Sequence, residues 1–95
     1  MQRDEYELDS EPVFELGEKV RLRKLIKNDG TFPGREIGEV LAKKGEIGYV
    51  SSIGTFLQRS YIYAVHFLEK GIIVGCREKE LESAEENYES DVTDE

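Results

Sequence analysis

Between Lys19 and Ile26 the chain alternates, with Val20 and Leu22 on one face and Arg21 and Arg23 on the other. That period of two predicts a half-buried strand. A second strand is predicted over residues 47–53 and a third over 61–68, where Tyr61-Ile62-Tyr63-Ala64-Val65-His66-Phe67 concentrates aromatic and β-branched residues. A fourth covers residues 72–77. Between the first two lies a loop over residues 27–46, too long to be structureless in a compact domain without a reason. Its turn chemistry is dense. Asn28-Asp29-Gly30 tolerates left-handed backbone, and Phe32-Pro33-Gly34 combines a fixed φ with a free one. Residues 54–60 read as another turn. After residue 77, Glu78-Lys79-Glu80-Leu81 predicts a short helical turn, with Leu81, Ala84 and Tyr88 at helical spacing.

Lys70-Gly71 separates the last two strands and predicts a hairpin. A loop centred there pairs Phe67 with Val74 and Val65 with Cys76. Tyr63, Val65, Phe67, Ile72, Val74 and Cys76 then share one face, and Ile62, His66, Leu68 and Ile73 share the other. The bulkier first set is the expected core, leaving a partly exposed apolar patch around His66. A slip of one residue would exchange the two faces. The fold expected from these elements is mainly β: a small SH3-like barrel with a long RT-type loop, a short C-terminal helical turn and acidic flexible tails.

Charge sharpens the boundaries. The net charge is −8, yet it is divided along the chain. Residues 1–16 hold six acids and one base, and residues 82–95 hold seven acids and no base. The segment 17–81 holds twelve bases and eight acids and contains all nine glycines. The expected organisation is an acidic tail over 1–12, a barrel over 13–84 and a second acidic tail over 85–95, with Val13, Phe14 and Leu16 packing onto the domain edge. No apolar run approaches the roughly 20 residues of a membrane span, and no signal-peptide pattern opens the chain. A single cysteine rules out an internal disulfide and fits a cytoplasmic setting.

The side chains point away from catalysis. One Cys and one His cannot complete a zinc or iron–sulfur ligand set, and the hairpin places Cys76 and His66 on opposite faces. The same separation disfavours a Cys–His nucleophile. No phosphate-binding glycine pattern is present: Gly45 is followed by Glu46 where a P-loop needs lysine. Most carboxylates lie in the tails, where nothing would tune them for proton transfer. No enzyme activity, cofactor or metal is expected. The stripe Arg21, Arg23, Lys24 and Lys27 invites comparison with RNA binders, and Lys44-Gly45-Glu46-Ile47-Gly48-Tyr49-Val50 resembles the KOW motif of ribosomal and transcription factors. The small cationic excess and the acidic tails disfavour nucleic acid and favour protein contacts or docking of the tails.

Several blocks in succession carry a more specific resemblance. They are Gly17-Glu18-Lys19-Val20-Arg21, Ile26-Lys27-Asn28-Asp29-Gly30-Thr31-Phe32-Pro33-Gly34, Gly45-Glu46-Ile47-Gly48-Tyr49-Val50, Ile53-Gly54-Thr55-Phe56-Leu57-Gln58, Ile62-Tyr63-Ala64-Val65-His66-Phe67 and Gly75-Cys76-Arg77. Over residues 17–81 the chain resembles the NifZ family of nitrogen-fixation proteins. The resemblance implies an SH3-like barrel and a non-enzymatic, chaperone-like accessory role in nitrogenase maturation, assisting P-cluster formation on the molybdenum–iron protein. The partners implied by the resemblance are the immature molybdenum–iron protein and other maturation factors. The family offers no catalytic residues to carry over, and its longer members have a C-terminal extension that this chain largely lacks. The partner-binding residues expected here are Asn28, Asp29, Gly30, Thr31, Phe32, Pro33 and Gly34 in the loop, with Ile62, His66, Leu68 and Ile73 on the patch. An RNA-binding KOW-like module and an SH3-like adaptor for another partner are the alternative readings.

Overall fold

Alternation becomes seven strands in the computed structural model, which describes residue 8 and residues 10–85. They are β1 (Lys19–Leu22), β2 (Ile26–Lys27), β3 (Val40–Ala42), β4 (Ile47–Phe56), β5 (Ser60–Phe67), β6 (Ile72–Cys76) and β7 (Leu81–Ser83), and a 3-10 turn at Glu78–Glu80 lies between β6 and β7. Five strands form an antiparallel sheet in the order β6-β5-β4-β1-β7, and β2 and β3 form a separate two-stranded sheet. The mainly β class is as the alternation predicts. Closure into a barrel is not made among the described residues: both sheets are open, and β6 and β7 are the edges of the larger one.

The core is the inward face of the alternation. Val20 and Leu22 of β1, Val50 of β4, Tyr63, Val65 and Phe67 of β5, and Val74 and Cys76 of β6 are all buried, with Leu41 and Ala42 of β3 closing one side. Burying each large apolar side chain contributes about 1.5–3 kcal/mol, so this layer supplies most of the driving force. Gly48 lies under it for a steric reason. A Cβ there would stand 2.5 Å from Val65 Cγ1 and 3.1 Å from Phe67 Cδ1. Only a bare backbone lets β4 approach β5 so closely.

The β5–β6 hairpin has the expected faces in a different register. Val65 pairs with Val74 and Tyr63 with Cys76, two residues away from the register centred on Lys70-Gly71. The loop is residues 68–71, with Lys70 and Gly71 both donating to the Phe67 carbonyl and Gly71 closing the turn at φ +73°. Gly71 is therefore the last residue of the turn and not its centre. Because the displacement is even, no side chain changes face. Leu68 does leave the strand and sits in the turn.

Three further differences have local causes. The strand expected over residues 19–26 breaks at residues 23–25, where the chain passes from the large sheet to the small one. Within the loop expected over 27–46, β3 pairs with β2 through Ile26–Ala42 and Lys27–Val40. The helical spacing that starts at Leu81 is overridden by pairing. After the 3-10 turn, Leu81 pairs with Leu22 and Ser83 with Val20, filling the free edge of β1. Tyr88 and both acidic tails lie largely outside the described residues. Before β1, Phe14 inserts into the core edge-on to Tyr63, with ring centroids 5.2 Å apart, and the Val13 N–H donates to the Tyr63 hydroxyl. Val13 and Leu16 themselves remain exposed.

Candidate interaction surfaces

The loop between β2 and β3 is organised by one side chain. Asn28 is only 2% exposed. Its Nδ2 donates to the carbonyls of Phe32 (3.1 Å) and Arg35 (3.0 Å), and its Oδ1 accepts from the N–H groups of Gly30 (2.9 Å) and Phe32 (3.1 Å). Its backbone closes the base, donating to Glu39 O at 2.8 Å and accepting from Gly38 N at 2.7 Å. Asn is suited to this task because it offers two donors and an acceptor from one planar group. Burial without loss of hydrogen bonds makes the loop rigid.

Around that hub the other predicted residues take distinct parts. Asp29 Oδ1 accepts from the Thr31 hydroxyl (2.7 Å) and the Thr31 N–H (3.1 Å). The Thr31 hydroxyl, followed by its N–H, holds the Asp29 carboxyl below its ordinary value. Phe32 packs on the core, with the Arg35 guanidinium 5.6 Å over its ring. Gly30, Gly34 and Gly38 all adopt positive φ. Thr31, Pro33 and Gly34 are exposed at the surface. So is Ile37, a residue absent from the sequence-based set, which is 77% exposed beside Gly30. An isolated isoleucine between Glu36 and Gly38 was the available signal.

The second predicted group lies on the outer face of the large sheet. His66 pairs with Ile73 on one side and Tyr49 on the other, and Tyr49 pairs with Lys19. Ile73, His66, Tyr49 and Lys19 therefore form one row across four strands. Ile62 covers Gly75, where a Cβ would meet its Cγ2 at 3.1 Å. Ile73, Tyr49 and Leu68 are exposed, while His66 and Ile62 are half-buried. Tyr49 was missed because its place depends on the β4–β5 register, which includes an irregularity between Val50 and Ser52. The β5–β6 turn carrying Leu68 is pinned to β3 by Lys70, which donates to Leu41 O at 2.9 Å and pairs with Glu46 at 3.3 Å.

Cys76 faces the opposite way, fully buried in the core. Burial, with a smaller contribution from Glu80, pushes its thiol up to about 12. A thiol so protonated is a poor nucleophile and a poor metal ligand. Among the described residues no group of three or more His, Cys, Asp or Glu side chains is placed to hold a metal ion. No helix among them is long and apolar enough to cross a membrane.

A family model for the NifZ domain matches residues 11–83. The chain belongs to the NifZ family. It is 52% identical over 80 residues to a protein of Sinorhizobium fredii described as a NifZ protein, covering 84% of this chain and 74% of that one. A Rhodobacter capsulatus relative described in the same way is 54% identical over 71 residues, covering 75% of this chain and 91% of the relative. The NifZ protein of Azotobacter vinelandii is 50% identical over 70 residues, covering 74% of this chain but 44% of its own length. The chain thus spans most of two relatives and less than half of the third. No solved structure matches it. NifZ proteins are nitrogen-fixation proteins, and the matched NifZ domain contains both surfaces described above.

Proposed function

We propose that this chain is a non-enzymatic accessory factor of nitrogenase maturation, acting by protein–protein contact on an immature molybdenum–iron protein during P-cluster assembly. Membership of the NifZ family carries this reading. The geometry supports a binding role: a loop made rigid by Asn28 presents Thr31, Pro33 and Ile37, and a sheet face presents Tyr49, His66 and Ile73. Rigid presentation lowers the ordering cost of association. In this reading the strands form an SH3-like scaffold with the β2–β3 excursion as its RT-type loop, and the factor works in the cytoplasm. The chain selects a partner conformation in which paired iron–sulfur units can fuse, through differential affinity and without touching iron. Asn28 acts as organiser of the loop, with its neighbours making the contacts.

The decisive experiment captures the immature molybdenum–iron protein with purified chain carrying Thr31→Ala, Pro33→Ala and Ile37→Ser together. Capture should fall by about tenfold or more while the thermal midpoint stays near that of the unaltered chain, as loss of a central contact cluster predicts. Unchanged capture would remove the loop from the interface. Failure of the unaltered chain to capture the precursor would overturn the reading itself.

A further inference from the structure

Where the chain leaves the large sheet, two bends lie side by side. Leu22 N donates to Glu46 O at 2.9 Å and Gly45 N donates to Leu22 O at 2.8 Å, while Ile26 pairs with Ala42 beyond them. Residues 23–25 of one bend are therefore held against residues 43–44 of the other. Each bend carries two adjacent cations: Arg23 and Lys24, and Lys43 and Lys44. All four are exposed, and none makes an ion pair among the described residues.

Two carboxylates beside the corner are already engaged. Glu46 pairs with Lys70 and accepts from the Lys43 N–H, and Glu80 accepts from the Arg77 N–H. Leu25 stands 41% exposed within the same corner. The far end of β1 has the opposite character. There Glu15, Glu18 and Glu85 line a shallow cleft of about 330 Å³, and Glu85 accepts from the Lys19 N–H. At about 3.3 Å per residue, β1 separates this acidic pole from the basic corner by roughly 15 Å.

We propose that the basic corner of Arg23, Lys24, Lys43 and Lys44 is a docking site for an acidic, leucine-bearing segment of a partner protein. Four cations on two bridged bends form a compact field, and compact fields steer and orient an acidic partner. Leu25 supplies an apolar contact at its edge. Nucleic acid fits less well. The two bends, residues 23–25 and 43–44, carry no aromatic ring on which bases could stack. The site is separate from the loop and from the His66 row, and does not depend on the nitrogenase reading.

The test measures fluorescence anisotropy of the full chain with a short synthetic peptide of glutamate and interspersed leucine, against single-stranded oligouridylate of equal length. Arg23→Glu with Lys44→Glu should weaken peptide binding roughly tenfold, the size expected when exposed pairs turn from attractive to repulsive. Arg59→Gln, at the tip of the β4–β5 hairpin and the far end of β4 from the corner, should leave it unchanged, and raising the salt should weaken it in the unaltered chain. No binding of the peptide, equal affinity in the double variant, or tighter binding of oligouridylate would each overturn the proposal. Self-association that disappears in the double variant would overturn the choice of occupant, assigning the corner to a second copy.

Discussion

The β2–β3 loop and the tip of the β4–β5 hairpin solve the same problem in opposite ways. Both must bend the chain through backbone conformations that disfavour ordinary side chains. In the loop, glycine stands at each of the three positive-φ positions, 30, 34 and 38, and Asn28 satisfies the backbone groups left over. At the hairpin tip, Leu57 and Gln58 take φ of +55° and +56° with no glycine at all. Arg59 N donates to Phe56 O at 3.1 Å, which closes a tight turn. This is the left-handed geometry that favours Asn-Gly. Leu57 is also 71% exposed, so burial does not compensate the strain. One region agrees with its local chemistry and the other is held against it by the pairing of Phe56 with Ser60 and the strands behind.

The comparison breaks most visibly at its hub. Asn28→Ala removes four hydrogen bonds from a buried site and should cost about 3 kcal/mol, since groups left without partners cost about 1–3 kcal/mol each. Urea denaturation measures it, and a loss below about 1 kcal/mol would show that water replaces the side chain. The core beneath both regions gives a smaller effect that depends on pH. The Cys76 thiol is raised to about 12 in the folded chain against 9.0 for an ordinary thiol. The folded state therefore holds a proton that the unfolded state releases. Its stabilising contribution is full below about pH 9 and is lost as the pH rises towards 12. Between about pH 8.5 and 10.5 this should remove on the order of 2 kcal/mol. Cys76→Ala should flatten that slope, and an unaltered slope would assign it to tyrosine or lysine titration. The smallest effect has the opposite sign. Leu57→Asn with Gln58→Gly should stabilise the hairpin by about 1 kcal/mol by relieving left-handed strain. A destabilised variant in thermal melts would mean that the exposed Leu57 side chain contributes more than its backbone costs.

Elements with long alternation were legible in the sequence. The facing of β5 and β6 follows from a period of two, and an even displacement of register left it intact. The turn itself was less legible, because Lys70-Gly71 marks a bend without saying whether glycine centres or closes it. Short strands escaped for a different reason. Ile26–Lys27 and Val40–Ala42 are too brief to show a period, and Leu81–Ser83 fits a helical spacing equally well until β1 offers it an edge. In the candidate surfaces, Asn28 stood out by residue type, but its burial did not: turn chemistry does not distinguish an exposed contact from an organising centre. Tyr49 and the pairing of the two basic bends needed cross-strand register, which is a property of the fold and not of any window of sequence.

The segment that carries Phe14 into the core also constrains how the chain comes together in time. Val13 finds its partner Tyr63 after 50 residues, and Arg21 meets Glu82 only after 61. Contacts so distant along the chain form late, because their closure entropy must first be overcome. During synthesis the first aromatic residue of the core emerges before the hairpin that receives it. Phe14 and the inner face of β1 therefore wait, exposed, until β5 and β7 exist. The opening residues of this domain are the first to be made and among the last to be seated.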